Sequence, residues 1–259
     1  MTDLQSLAKK LGFKAMIANW ESYCHQPWVA PFLKDEEAER VRLGLERHKR
    51  DAKIGEFKPM ADFNWDWPEE IDRELVQDLL TLRFLDGKGT NLAFVGPNGV
   101  GKTMIVQNIA YSALSNGLRT RFVPASQMLS ELSAQDGDKA LDRCLKKYCG
   151  YDLLAIDELG YLDYGTRYAD LLFQVINGRY KKRSTIVTTN KAFQEWNAIF
   201  PNAMCVTALV DRLMHRADLV VIKGKSFREH EATESAQTKA KERRSRPKLV
   251  AGIGGKNND

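Results

Sequence analysis

Long apolar runs are missing from this 259-residue chain. None approaches the roughly 20 residues needed to cross a bilayer, and the mean hydropathy is −0.42, so no membrane-spanning segment is expected. Cysteine is scarce: Cys24, Cys144, Cys149 and Cys205 form no CxxC pair and have no histidine cluster beside them. That pattern excludes a structural zinc site or a disulfide framework and reads as reduced thiols in a cytoplasmic protein. The opening MTDLQSLAKKLGF lacks the apolar stretch of a secretory signal. No internal repeat at solenoid periods is present. Charge of one sign is not prominent either, since 39 Lys+Arg against 34 Asp+Glu give a net +5. Such a balance permits a nucleic-acid partner without requiring one.

What is present falls into zones. Residues 1–58 are strongly charged and helical in pattern, with Leu4, Leu7, Ala8 and Leu11 at helical spacing before Gly12. A second helix is expected from about Phe13. KDEEAERVRLGLERHKRDAK reads as a third, acidic in its first turn and basic in its last, which suits the helix dipole. Residues 59–70 include PMADFNWDWP, a proline-bounded linker expected to pin itself to a surface through Phe63, Trp65 and Trp67 as packing of a domain joint, in preference to a ligand contact. Residues 71–232 alternate helical patterns with short apolar strands, the signature of a parallel α/β sheet flanked by helices. Within them IDRELVQDLLTLRFL reads as one helix, and NLAFV, RTRFVPA, YDLLAIDE, STIVTTN and LVVIKG read as strands. Residues 233–259 form a polar tail whose KAKERRSRPK run is basic, and disorder is expected there.

The strongest motif is GPNGVGKT, residues 96–103, which fits G-x-x-x-x-G-K-[ST] after an apolar strand and before a helix. This geometry turns successive backbone amides toward a polyphosphate at the positive end of a helix. We expect Gly96, Pro97, Asn98, Gly99, Val100, Gly101, Lys102, Thr103 and Met104 to cradle ATP. In that cradle Lys102 reaches the β- and γ-phosphates, and Thr103 ligates Mg2+. YDLLAIDELG then delivers Asp157 and Glu158 at the carboxyl end of a strand. Asp157 fits the holding of Mg2+, and Glu158 fits a base polarising the attacking water. STIVTTN places Asn190 past another strand end, where it or Thr188 or Thr189 can face the γ-phosphate. Arg212 and Arg216 on a helix, and Arg228 after the last strand, are candidates for an arginine that stabilises transferred phosphate. A metabolic kinase fits less well, because an acid pair with a late arginine suits hydrolysis better than transfer to a small molecule.

Taken in order and spacing, GPNGVGKT, LLAIDELG, YKKRSTIVTTN and ALVDRLMHRADLVVIKGKSFR resemble the IstB family of AAA+ transposition helper ATPases, relatives of the bacterial helicase loader DnaC. The resemblance spans roughly residues 4–230. It implies a P-loop NTPase core preceded by a small helical domain, ATP shared between subunits of a ring or spiral wound on duplex DNA, and a cognate transposase as partner. By the same resemblance Asn190 matches sensor 1, Arg212 the arginine finger and Arg228 sensor 2. Arg216, Arg179 and Arg183 remain rivals for the finger. A replicative helicase loader shares most of these motifs and stays as the alternative. For DNA, Arg40, Arg42, Arg47, Lys49, Arg50 and Lys53 make a basic helical segment able to follow phosphates with little sequence preference.

Overall fold

The computed structural model describes residues 3–86, 89–160, 166–196 and 203–245. Its centre is a sheet of five strands: β1 (Asn91–Val95), β2 (Thr120–Pro124), β3 (Leu153–Leu159), β4 (Ser184–Thr189) and β5 (Ala217–Val221). All four pairings are parallel, in the order β2-β3-β4-β1-β5. The inner strands are buried almost without a break, Ser184, Thr185, Thr188 and Thr189 of β4 included, because both sheet faces are covered. One face, carrying Leu92, Phe94, Ala155 and Ile186, packs with α5 (Arg73–Leu80) and α6 (Lys102–Ser115). The other, carrying Ala93, Val123, Ile156 and Val187, packs under α7 (Ala125–Ser133), α8 (Asp138–Gly150), α9 (Thr166–Arg179) and α10 (Ala203–Met214).

The N-terminal zone is helical as its periodicity implies: α1 (Asp3–Lys10), α2 (Lys14–Ala18), α3 (Trp20–Tyr23) and α4 (Val29–Ala52). Ala8, Leu11, Val29 and Leu33 form its own small core. The 24 residues of α4, about 36 Å at 1.5 Å per residue, carry the chain from that cluster to the main one, where Ala52 and Ile54 are buried.

Two expectations need correction. IDRELVQDLLTLRFL is not one helix: α5 is capped by Asp72 and ends at Leu80, and Leu82 takes a left-handed φ of 67°. The chain then makes a 3-10 turn over Arg83–Leu85 that drops Phe84 into the core. The tail is also not disordered from 233, because α11 runs Phe227–Ser245. Its first turn is fixed by Ser226 Oγ, which accepts from Glu229 N at 3.2 Å, and His230 pairs with Glu234 one turn on at 3.4 Å. Ala, Glu, Gln and Lys beyond are strong helix formers, so the helix continues although residues 231–239 are all exposed. The rest of the basic run, 246–248, lies outside the described residues.

Candidate active site

Residues 96–101 turn from the end of β1 into α6. Gly99 and Gly101 hold φ of 77° and 100°, and a methyl group would not fit at either. A Cβ at Gly99 would lie 2.2 Å from Ser226 Oγ, and one at Gly101 2.5 Å from the Phe63 ring. At Gly96 the obstacle is the Ile222 carbonyl oxygen, 2.1 Å away. The loop is therefore clamped between the aromatic linker and the start of α11, where the Phe227 amide donates to Gly99 O at 3.0 Å. Lys102 is buried, and its ammonium donates to Gly96 O at 2.7 Å and to Pro97 O at 2.6 Å. Burial pulls its pKa down to about 8. Asp157 and Glu158 act in the opposite direction, and Arg228 adds to the lowering.

Asp157 is buried at the end of β3. Its carboxylate accepts from Thr103 Oγ1 at 3.1 and 3.2 Å and from Thr188 Oγ1 in a short bond. Thr188 Oγ1 in turn accepts from Glu158 N at 2.9 Å. Between Ile156 and Leu159 the β3·β4 register shifts, and Glu158 sits there at φ 60°. The irregularity turns its carboxylate outward from an otherwise buried strand. Because β4 lies between β1 and β3, Thr188 faces both the loop and the acid pair.

These groups meet at a cavity of about 300 Å3. Gly99–Met104 line one side, and Glu158 and Thr188 another. Arg228 with Phe227 and Glu231 come from α11, while Lys58, Asp62, Phe63 and Trp67 come from the linker side. The linker is thus part of the cavity wall as well as a joint, which its sequence did not reveal. Trp67 stacks on His230 with centroids 4.4 Å apart and donates from its indole to Lys225 O at 2.8 Å, while Lys58 pairs with Glu231 at 2.8 Å. The signal was a cluster of three aromatics in five residues, more than a simple joint requires. Ser226 and Phe227 left no comparable mark.

Other candidates sit apart from the cavity. Asn190 follows β4, and its side-chain oxygen is buried with no hydrogen-bond partner among the described residues. Arg212 is on α10, its guanidinium 4.6 Å over the Phe173 ring with Nη1 buried and unpartnered among the described residues. Arg216 is exposed. Arg179 is committed inward, donating to the carbonyls of Tyr148, Tyr151 and Ser184, and Arg183 pairs with Asp152. The six basic residues of α4 and its end divide. Arg40 braces the small helical domain through Glu36 and Leu11 O, both at 2.6 Å. Arg42 pairs with Glu39 and Lys49 with Glu46. Arg47, Arg50 and Lys53 make no such bond among the described residues and border an open groove.

The group fits a magnesium nucleoside triphosphate. A glycine cradle, a buried ammonium, and a hydroxyl beside a carboxylate are oxygen and nitrogen donors of the right hardness for phosphate and Mg2+. Among the described residues no helix is long and apolar enough to cross a membrane.

Comparison with known proteins points the same way. A family model described as IstB-like ATP binding protein matches residues 2–235. The chain is 37% identical over 180 residues to a protein named for ATP binding in insertion sequence IS232 of Bacillus thuringiensis subsp. berliner, covering 68% of this chain and 72% of that one. To its counterpart in insertion sequence IS21 of Pseudomonas aeruginosa it is 33% identical over 237 residues, covering 88% and 89%. Among solved structures, the crystal structure of DnaI superposes with a TM-score of 0.51 at 20% identity, covering 65% of this chain and 89% of that one, a likeness of fold.

Proposed function

The chain belongs to the family of IstB-like ATP-binding proteins, with a P-loop AAA+ fold, and on that premise we propose that it is the ATP-hydrolysing helper of an insertion sequence. In this reading it assembles with ATP on duplex DNA in the cytoplasm and recruits or activates the cognate transposase. The observation that carries the proposal is the convergence of Lys102, Thr103, Glu158, Thr188 and Arg228 on one glycine-lined cavity, with Asp157 hydrogen-bonded to Thr103 and Thr188 behind it, in a member of that family. Kinship with insertion-sequence proteins favours the helper over the helicase loader, whose likeness is one of fold.

Loop amides and Lys102 hold the phosphates, the ammonium leaving Gly96 O and Pro97 O for phosphate oxygens. Thr103 and Asp157 would hold Mg2+, which would supply charge neutralisation when bound. Among the described residues no cluster of three or more His, Cys, Asp or Glu could hold a metal. Glu158 takes a proton from water as the water oxygen bonds to the γ-phosphorus and the bond to the bridging oxygen breaks, leaving ADP and phosphate. Arg228, which lines the cavity, stabilises the γ-phosphate, and in this proposal Asn190, just past the end of β4, takes the part of a second polar group for that phosphate. Arg212 acts on the site of a neighbouring subunit.

Mixing Arg212→Ala with Lys102→Ala subunits on duplex DNA tests the shared site. Each single variant should be inactive, and the mixture should recover part of the wild-type ATPase rate through interfaces that pair an intact loop with an intact arginine. Full hydrolysis by protein that stays monomeric with ATP and DNA would overturn this proposal.

A further inference from the structure

The groove beside Arg47, Arg50 and Lys53 is completed by a residue from the ATPase core. Arg119, at the turn from α6 into β2, lines it together with His48 and Asp51. Arg47, Arg50, Lys53 and Arg119 are all exposed. The guanidinium of Arg119 lies 5.5 Å from the centroid of the Tyr151 ring, and no carboxylate forms an ion pair with any of the four side chains among the described residues; the Asp152 carboxylate accepts from the Arg119 backbone amide at 2.9 Å and pairs with Arg183. Asp51 is the acid of the groove, and its carboxylate is spent inward as acceptor for the Tyr151 hydroxyl at 2.8 Å. The Asp51 carbonyl accepts from Arg121 Nη1 at 2.7 Å. The last turn of α4 is thereby pinned to β2 and to the turn between α8 and β3, which joins the two halves of the groove.

A solvated helix end does not account for this arrangement. The negative pole of a helix amounts to about half an elementary charge, whereas four unpaired cations converge here. Elsewhere on α4 the chain neutralises its cations with its own acids, as at Arg40, Arg42 and Lys49. Tyr151, the one Phe, Tyr or Trp in contact with the groove's cations among the described residues, is 1% exposed beneath Arg119, so the groove presents charge more than aromatic surface, and a chain of phosphates has four partners.

We propose that Arg119 and the end of α4 form one composite phosphate-binding groove through which the protein grips the backbone of duplex DNA. This deepens the DNA-binding part of the proposed function and rests on it. The groove lies at the C-terminal end of α6 and the nucleotide loop at its N-terminal end. The two are separated by the 14 residues of one helix, about 21 Å.

The test is the affinity of the full-length protein for a random-sequence duplex, measured by fluorescence anisotropy across a salt series, for wild type, Arg119→Ser and Arg119→Lys. Arg119→Ser should weaken binding roughly fivefold at moderate salt and lower the log–log salt slope by about 0.9, the value of one lost phosphate contact. Arg119→Lys should retain most of the wild-type slope, and Arg47→Ser with Arg50→Ser should lower it by about twice as much as Arg119→Ser. Circular dichroism of each variant guards against misfolding. If wild type binds duplex and Arg119→Ser leaves affinity and slope unchanged, the groove is wrong and the DNA-binding reading stands. If wild type fails to bind duplex even at low salt, that reading falls and the groove falls with it.

Discussion

Lys102 is held by two loop carbonyls in a buried setting that works against its charge, and this has a measurable result. With its pKa down to about 8, the ammonium begins to lose its proton just above neutrality. Triphosphate oxygens favour the charged form, so nucleotide binding takes up a proton wherever the free protein has lost one. ATP affinity should therefore be level below about pH 8 and fall by up to about tenfold per pH unit above it. Equilibrium binding from pH 7 to 9.5 checks this, with Lys102→Arg as a flat reference because guanidinium stays charged. A flat wild-type curve would remove the ammonium from phosphate binding. Arg40 shows the opposite case. Its charge is fully used by Glu36, Leu11 O and the face of Phe13, so it serves the fold of the small helical domain and little remains for DNA.

At the scale of elements, the contact between the loop and α11 is the least expected feature and is testable. Gly99→Ala places a methyl group against Ser226 in a left-handed backbone, which costs about 1–2 kcal/mol for the conformation alone. Urea unfolding should show that loss together with weaker ATP binding. Ser226→Gly in the same chain should recover the part due to the clash and leave the part due to φ. Absence of any recovery would mean that Ser226 does not bound the loop.

The strands, the loop motif and the acid pair were legible in the sequence because each depends on local pattern: continuous apolar runs for buried strands, fixed glycine spacing, a polar break after YDLLAI. What was not legible depends on neighbours. The left-handed Glu158 arises from the register shift of β3 against β4, and the end of α5 from the burial of Phe84 after Leu82 reverses. The linker as cavity wall depends on where α11 starts, more than 150 residues away in the pair Lys58–Glu231. The helix past 233 has no apolar periodicity to mark it and rests on the helix propensity of Ala, Glu, Gln and Lys alone.

For the whole molecule, the order β2-β3-β4-β1-β5 gathers loop, acids and Thr188 at one end of the sheet. At the opposite end of α6, Arg119 and α4 gather the unpaired cations. α4 and the residues just after it tie the N-terminal helices to the core through Asp51, Ala52 and Ile54. The central claim is that the cavity separates phosphate holding from water activation in distinct residues. The most direct measurement is ATP affinity and turnover of wild type, Lys102→Ala and Glu158→Gln side by side. Lys102→Ala should lose nucleotide binding, whereas Glu158→Gln should bind ATP with wild-type strength and lose turnover by about 100-fold or more. Hydrolysis by Glu158→Gln at the wild-type rate, or unchanged ATP affinity in Lys102→Ala, would contradict the account.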